Sequence, residues 1–223
     1  MDVDTAFVAE VTCDASVLEH LTAEPIMARL VACFGDYSWR CRTVFFTVVR
    51  AVVGQSISTK AATTIFTRLV GATSLDAQYI AQMPEDELRR LGLSQQKTRA
   101  IQALAQLELE AKFADITADT LVERITPIRG IGVWTAEMVA IFSLGALDVW
   151  AIADLAVVVA GRDLYGLTGK KALRELGEQF RPYRSVALWY FWRWMEAGQP
   201  DIDALVIKNA LDVNHAAKLD VSD

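Results

Sequence analysis

Apolar residues recur along this chain at three- and four-residue spacing, the period that turns one face of an α-helix toward a core. Only five prolines interrupt the 223 residues, and no sustained repeat or low-complexity linker divides them. The pattern predicts a mostly helical protein. Pro25–Phe34 reads as a helix stopped by Gly35. Residues 43–53 are apolar and β-branched enough for a strand when taken alone, but continuation through residues 59–69 to Gly71 favours two consecutive helices. Pro84 suits a first helical position, with Glu85, Asp86 and Glu87 at the positive end of the helix and Arg89 and Arg90 ahead of Gly92. Ser94 is placed to cap a helix running to about Lys112, and Thr168 to cap another over residues 170–177. Pro182 opens a last long helix that ends near Gly198. The first forty residues are less regular, with a strand around Phe7–Thr12 and short helices. The last twenty are acidic and weakly patterned.

Composition alters this picture only where charge is placed. The chain carries 28 acidic and 22 basic side chains, a net −6 with both histidines neutral. An acidic balance argues against a nucleic-acid partner. The charge is segregated, however. Residues 1–25 hold six acids and no Lys or Arg, residues 201–223 hold five acids and two lysines, and residues 26–200 are left at +3, with 20 basic and 17 acidic side chains. The body of the chain is therefore mildly basic. Its length suits one large domain or two small ones.

Cys13, Cys33 and Cys41 are an odd number with no C-x-x-C pair, which fits a reducing cytoplasm better than a disulfide framework or a zinc site. The start M-D-V-D-T-A lacks the basic residues of a signal peptide. The charge-free apolar run over residues 138–147 is ten residues long, too short for a bilayer. A cytoplasmic protein with no membrane partner is expected, nucleoid-associated if bacterial.

The segment that carries chemistry is residues 125–154, I-T-P-I-R-G-I-G-V-W-T-A-E-M-V-A-I-F-S-L-G-A-L-D-V-W-A-I-A-D. A short helix over residues 119–125 meets Pro127, then Gly130, Ile131 and Gly132 make a tight turn into a helix over residues 133–144. Two glycines open backbone conformations closed to other residues and allow close approach. The first N–H groups of the following helix have no intrahelical partner and sit at its positive end, which makes an anion site. The same G-x-G also suits an ordinary helix–turn–helix corner.

Wider matches favour the first reading. P-I-R-G-I-G-V-W-T-A followed by D-V-W-A-I-A-D resembles the helix-hairpin-helix DNA glycosylases, in the alkylated-base branch of the 3-methyladenine DNA glycosylase II type. V-V-G-Q-S-I-S-T-K-A-A (52–62), L-R-R-L-G-L-S-Q-Q-K-T-R-A-I (88–101) and R-P-Y-R-S-V-A-L-W-Y-F-W (181–192) resemble further segments of that family. The matches run in order over roughly residues 40–197.

The resemblance implies roles residue by residue. Asp154 stands at the catalytic aspartate. Trp134 and Trp192 fall where the base pocket is lined, Met138 stands where a tyrosine often does, and Trp150 is a weaker pocket candidate. Backbone N–H groups around Gly130, Gly132 and Val133 would grip a phosphate, and the carbonyls of Thr126, Ile128 and Ile131 would hold a monovalent cation, Na+ or K+, with no other cofactor required. Ser56 stands where a side chain fills the gap left by the extruded base; it is short for that task, and Gln55 is the alternative plug. Trp134 occupies the place of the lysine used by strand-cutting relatives, so no lyase activity is expected. All three cysteines precede residue 42, which excludes the iron–sulfur variants. Ile152 replaces a proline that often precedes the catalytic turn. Some forty residues before the helical core suggest the compact form, without a full N-terminal β domain.

The residue chemistry agrees. Cleaving an N-glycosidic bond builds positive charge on the sugar, which a carboxylate stabilises. Indoles hold a cationic base by stacking and cation–π attraction, roughly 0.5–2 kcal/mol per contact. Asp154 would equally cap a helix over residues 155–160, and some tryptophans of the last helix must be core. The reading expected is a two-lobed helical fold with an interlobe cleft, one lobe over residues 42–145, the other combining 1–41 with 146–223. The expected protein is a monomeric, monofunctional glycosylase that flips alkylated purines out of double-stranded DNA. Its rivals are a glycosylase for another damaged base, a non-catalytic helix-hairpin-helix DNA-binding protein and an unrelated helical bundle. The DNA face is expected on Arg89, Arg90, Lys97 and Arg99, or on Arg40, Arg42 and Lys60.

Overall fold

The computed structural model describes residues 7–107, 117–206 and 208–209. Among the described residues the elements follow in the order β1 (Phe7–Thr12), α1 (Ala15–Thr22), α2 (Pro25–Phe34), β2 (Ser38–Arg42), α3 (Val44–Gly54), α4 (Thr59–Thr73), α5 (Ala77–Gln82), α6 (Glu85–Arg90), α7 (Gln95–Ala105), α8 (Ala118–Ile125), α9 (Val133–Phe142), α10 (Leu155–Asp163), α11 (Lys170–Glu178) and α12 (Arg184–Glu196). A further helical stretch covers residues 202–206. The mostly helical expectation holds. Among the described residues, no helix is long and apolar enough to cross a membrane, and no three His, Cys, Asp or Glu side chains group as metal ligands.

The chain divides into two compact units. The first comprises the described residues of Met1–Val11 and Trp39–Ala146. The second comprises Thr12–Ser38 and the described residues from Leu147 onward. Residues 7–11, expected with the chain's second half, group instead with the first unit because β1 pairs with β2. β2 itself escapes a reading of the sequence. It offers only two apolar positions, Trp39 and Cys41, both buried, which is too brief an alternation to stand out.

The first unit is built around α3, which packs against α4, α7 and α9. Its β-branched run is helical because nearly every side chain from Val44 to Val53 is buried. Helix propensity costs a valine under ~0.7 kcal/mol relative to alanine, whereas burying it contributes about 1.5–3 kcal/mol. Burial decides. α4 runs past Gly71 and stops only at Ser74, which adopts a left-handed φ of 50°. The buried face Phe66, Leu69 and Thr73 carries the helix across that glycine, outweighing a cost of about 1 kcal/mol.

Other boundaries shift for local reasons. Pro84 caps α6 and does not sit inside it. Ser94 caps α7 as expected, its hydroxyl accepting the Lys97 N–H at 3.3 Å. That helix ends at Ala105, where its buried face ends, well before Lys112; residues 108–116 lie outside the described residues. Gly169, at φ 85°, stands at the start of α11 with no side-chain cap, so Thr168 does not serve there.

The second unit packs α12 against α2 and α10, with Trp150, Tyr165, Phe180 and Phe191 in edge and tilted ring contacts. The Trp150 indole N–H donates to the Leu173 carbonyl at 2.9 Å, and a Cβ on Gly177, one turn further along α11, would come within 2.6 Å of that indole nitrogen. Trp150 is therefore a core residue, which removes it from the pocket candidates. In an open helix Gly→Ala gains up to ~1 kcal/mol. Here the rigid indole has no room to move, so Gly177→Ala is expected to lower stability by about 1–3 kcal/mol. A urea midpoint at or above the wild-type value would contradict the packing.

Candidate active site

Asp154 is 7 % exposed and stands at the N-terminus of α10 in extended conformation. One carboxylate oxygen, Oδ1, accepts the Ala156 backbone N–H at 2.8 Å and the Trp192 indole N–H at 3.0 Å. The first bond is a helix cap. The second is not explained by capping: a tryptophan 38 positions away fixes the rotation of the carboxylate. Trp192 is thus a donor that orients the aspartate, and no spacing rule in the sequence could have paired the two residues.

The approach to Asp154 is also tied down. Arg184 meets Asp148 through Nε at 2.6 Å and Nη2 at 3.1 Å, a two-point contact that fixes geometry as well as charge. The Ser185 N–H donates to Leu147 O at 2.8 Å, and the Val149 N–H donates to Ser185 Oγ at 2.9 Å. The R-S of R-P-Y-R-S therefore stitches the start of α12 to the strand of chain that leads into Asp154. The remaining tryptophans of α12 are structural donors: Trp189 to Ser38 O and Trp194 to Pro200 O.

In the first unit, α8 turns into α9 through residues 126–132. Gly130 has φ 95°, and a Cβ there would lie 3.0 Å from Ala100 Cβ, so this glycine is required by backbone and space alike. Gly132 differs. Its φ of −99° is open to any residue, nothing lies within 4 Å of its Cβ position, and it gives α9 no side-chain cap. The first turn of α9 is thus left with an approachable backbone at its positive end. Gln55 braces the turn, its amide donating to Gly130 O at 3.1 Å and to Thr135 Oγ1 at 3.2 Å. Lys97 in turn donates to Val53 O at 2.8 Å and Gln55 O at 2.7 Å.

A short helix, a glycine turn with an open helix N-terminus and a buried, oriented aspartate shortly after it form one pattern in sequence order. Residues 49–183, more than half of the chain, match the family model described as "HhH-GPD superfamily base excision DNA repair protein". The chain belongs to this superfamily. It is similar to "DNA-3-methyladenine glycosylase 1" of Schizosaccharomyces pombe, 30% identical over 183 residues that cover 74% of this chain and 80% of the relative. It is also similar to the "Probable bifunctional transcriptional activator/DNA repair enzyme AlkA" of Mycobacterium tuberculosis, 32% identical over 162 residues, 66% of this chain and 33% of the relative. Among solved structures, S. pombe 3-methyladenine DNA glycosylase in complex with abasic DNA superposes with a TM-score of 0.76 at 27% identity, covering 84% of this chain and all of that one.

Within this HhH-GPD chain the residues expected at the site fall into two groups. Asp154 and Trp192 touch each other in the second unit. Gly130, Gly132, Val133, Trp134 and Met138 belong to the first, where Trp134 is half-buried and Met138 buried. Ile131 is buried, and Thr126 and Ile128 are half-buried, the Ile128 carbonyl already accepting the Ile131 N–H at 3.0 Å.

The basic cluster needs correcting. Lys97 turns inward onto two carbonyls, and burial pushes its ammonium below the usual lysine range. Arg89 and Arg99 pair with Asp86 and Glu85 at 3.6 and 3.1 Å. Lys60 and Arg90 remain exposed, while Arg40 and Arg42 lie over the Phe7 and Phe46 rings. Arg129 is exposed on the hairpin turn itself, beside Gly130, an isolated cation that the local density of charge along the sequence does not single out.

Proposed function

We propose that this HhH-GPD protein is a monofunctional DNA glycosylase that flips alkylated purines of the 3-methyladenine and 7-methylguanine type out of double-stranded DNA and releases them by hydrolysis, the opening step of base excision repair. The observation that carries the reading is the Asp154 carboxylate, buried at a helix start and held by the Trp192 indole. The names borne by the relatives support the substrate class.

An alkylated purine is already cationic. When its C1′–N bond breaks, the bonding electron pair leaves with the base, which departs neutral, and positive charge passes to the sugar. Asp154 stabilises that charge and orients a water. The water oxygen bonds to C1′, and its proton passes to the carboxylate or to bulk water. Burial matters here, because a carboxylate acts on charge more strongly where water is excluded. Trp134, Met138 and Trp192 are the base-pocket residues in this reading. The α9 N-terminus at Gly130, Gly132 and Val133 takes a phosphate through backbone N–H groups. The turn carbonyls of Thr126, Ile128 and Ile131 are neutral oxygens suited to a monovalent cation, which would brace the turn. No lysine stands at Trp134 to form a Schiff base, so the product is an intact strand with an abasic site. The protein works as a monomer in the cytoplasm, at the nucleoid if bacterial.

The test is incubation of the wild-type protein with methylated duplex DNA and chromatography of what is released. Free 3-methyladenine and 7-methylguanine are expected, with strand breaks appearing only after alkali. DNA binding without any base release would reduce the protein to a binding module. Release of oxidised or deaminated bases alone, from a panel of lesion duplexes, would move it to another substrate.

A further inference from the structure

Extruding a base leaves a gap in the stack, and the family resemblance implies Ser56, or Gln55 beside it, to fill it. The loop between α3 and α4 argues otherwise. The Gln55 side chain is committed to Gly130 O and Thr135 Oγ1, and its own carbonyl accepts from Lys97. Ser58 is committed as well, its hydroxyl accepting the Ala61 N–H at the start of α4. Ser56 is exposed but short, and it holds a left-handed φ of 58°, a conformation that non-glycine residues keep only when their surroundings impose it. Ile57 is the one large apolar side chain of residues 55–58, and it is 38% exposed.

We propose that Ile57, on a loop clamped to the hairpin by Gln55, is the side chain that enters the helix stack where the base has left. Apolar residues of this size are the wedges that open base steps in other DNA-bending proteins. A wedge also needs a backing that does not recoil. Here the loop is fixed through Gln55 to the very turn whose N-terminal backbone takes the phosphate, so insertion and grip act as one body. Lys60, three residues on, and Arg129, next to Gly130, are exposed cations on the two segments that Gln55 joins. They suit the strand backbone on either side of a gap. Gln55 is then a positioning residue and not the plug.

This inference rests on the glycosylase reading, and the experiment separates the two. Single-turnover release of 7-methylguanine is measured for wild type, Ile57→Ala, Ile57→Leu and Ser56→Ala. Each is given the lesion in a fully paired duplex and in an unpaired bubble, where unstacking is already done. Ile57→Ala is expected to slow release from the paired duplex roughly tenfold or more while changing the bubble little, because the wedge offsets the cost of unstacking. Ile57→Leu is expected to restore the paired rate. A duplex with 2-aminopurine opposite a stable abasic analogue should lose its protein-induced fluorescence change with Ile57→Ala. Equal rates for Ile57→Ala and wild type on the paired duplex would overturn the assignment, as would equal slowing of both substrates. So would slowing by Ser56→Ala alone. Wild-type protein that releases no base from either substrate would overturn the glycosylase reading and the wedge with it.

Discussion

Asp154→Asn is expected to cut single-turnover release of 7-methylguanine from duplex DNA by at least ~100-fold while leaving the fold in place. The substitution is informative because the proposed function gives Asp154 two jobs. As a cap it accepts the Ala156 N–H, and as the group that faces developing charge it must be a carboxylate. Asparagine keeps an oxygen for both Ala156 and Trp192, and it caps helices about as well as aspartate. Stability should therefore move by no more than a few tenths of a kcal/mol, the size of the Asn–Asp difference at a cap. Charge at the sugar is what disappears. Asp154→Ala removes both jobs and should cost a further ~1 kcal/mol of stability. Parallel melting curves and base-release assays check this. Undiminished release by Asp154→Asn would remove the residue from the chemistry and leave it a cap. A large drop in melting temperature for the same variant would mean that any lost activity is only lost fold.

What could be read in the sequence, and what could not, divides along the range of the interactions involved. Asp154 as a helix cap, Ser94 as another and the stop of α2 before Gly35 depend on a few consecutive residues, and the chain announces them. The helical state of residues 44–54 is ambiguous in the segment's own periodicity and legible only through its continuation into residues 59–69; its physical reason, burial nearly all round, is tertiary. The contacts that define the site are longer still. Trp192 reaches Asp154 across 38 positions and Gln55 reaches Gly130 across 75. Each pairing shows a residue expected to stack or to plug orienting something else. Lys97 shows the same effect on charge. In sequence it strengthens a basic cluster, and in the fold it is used up on the carbonyls that end α3. Charge density along a chain counts side chains without asking which way they turn, whereas Arg129 and Lys60 stay exposed in the fold.

The two glycines of the hairpin should part company under mutation. Gly130→Ala places a Cβ on a residue at φ 95° and within 3.0 Å of Ala100 Cβ, so backbone strain and crowding add. A loss of about 1–3 kcal/mol in stability is expected, with DNA affinity falling because the turn itself is displaced. Gly132→Ala meets neither obstacle, since its φ is −99° and its Cβ position is open. The variant should melt within about 1 kcal/mol of wild type, the most that exchanging one cap residue for alanine commonly costs. Yet that open space is where a phosphate must come to reach the first N–H groups of α9. A methyl group there should weaken binding to a duplex carrying a stable abasic analogue by ten- to a hundredfold, about the worth of a hydrogen bond to a charged group. Anisotropy titrations at fixed salt measure this, and salt must be fixed because phosphate affinity depends on it steeply. Equal losses of stability from both substitutions would mean that Gly132 serves the fold and not the ligand. Wild-type affinity for Gly132→Ala, with an unchanged salt slope, would place the phosphate elsewhere on the unit and leave the hairpin as a structural corner.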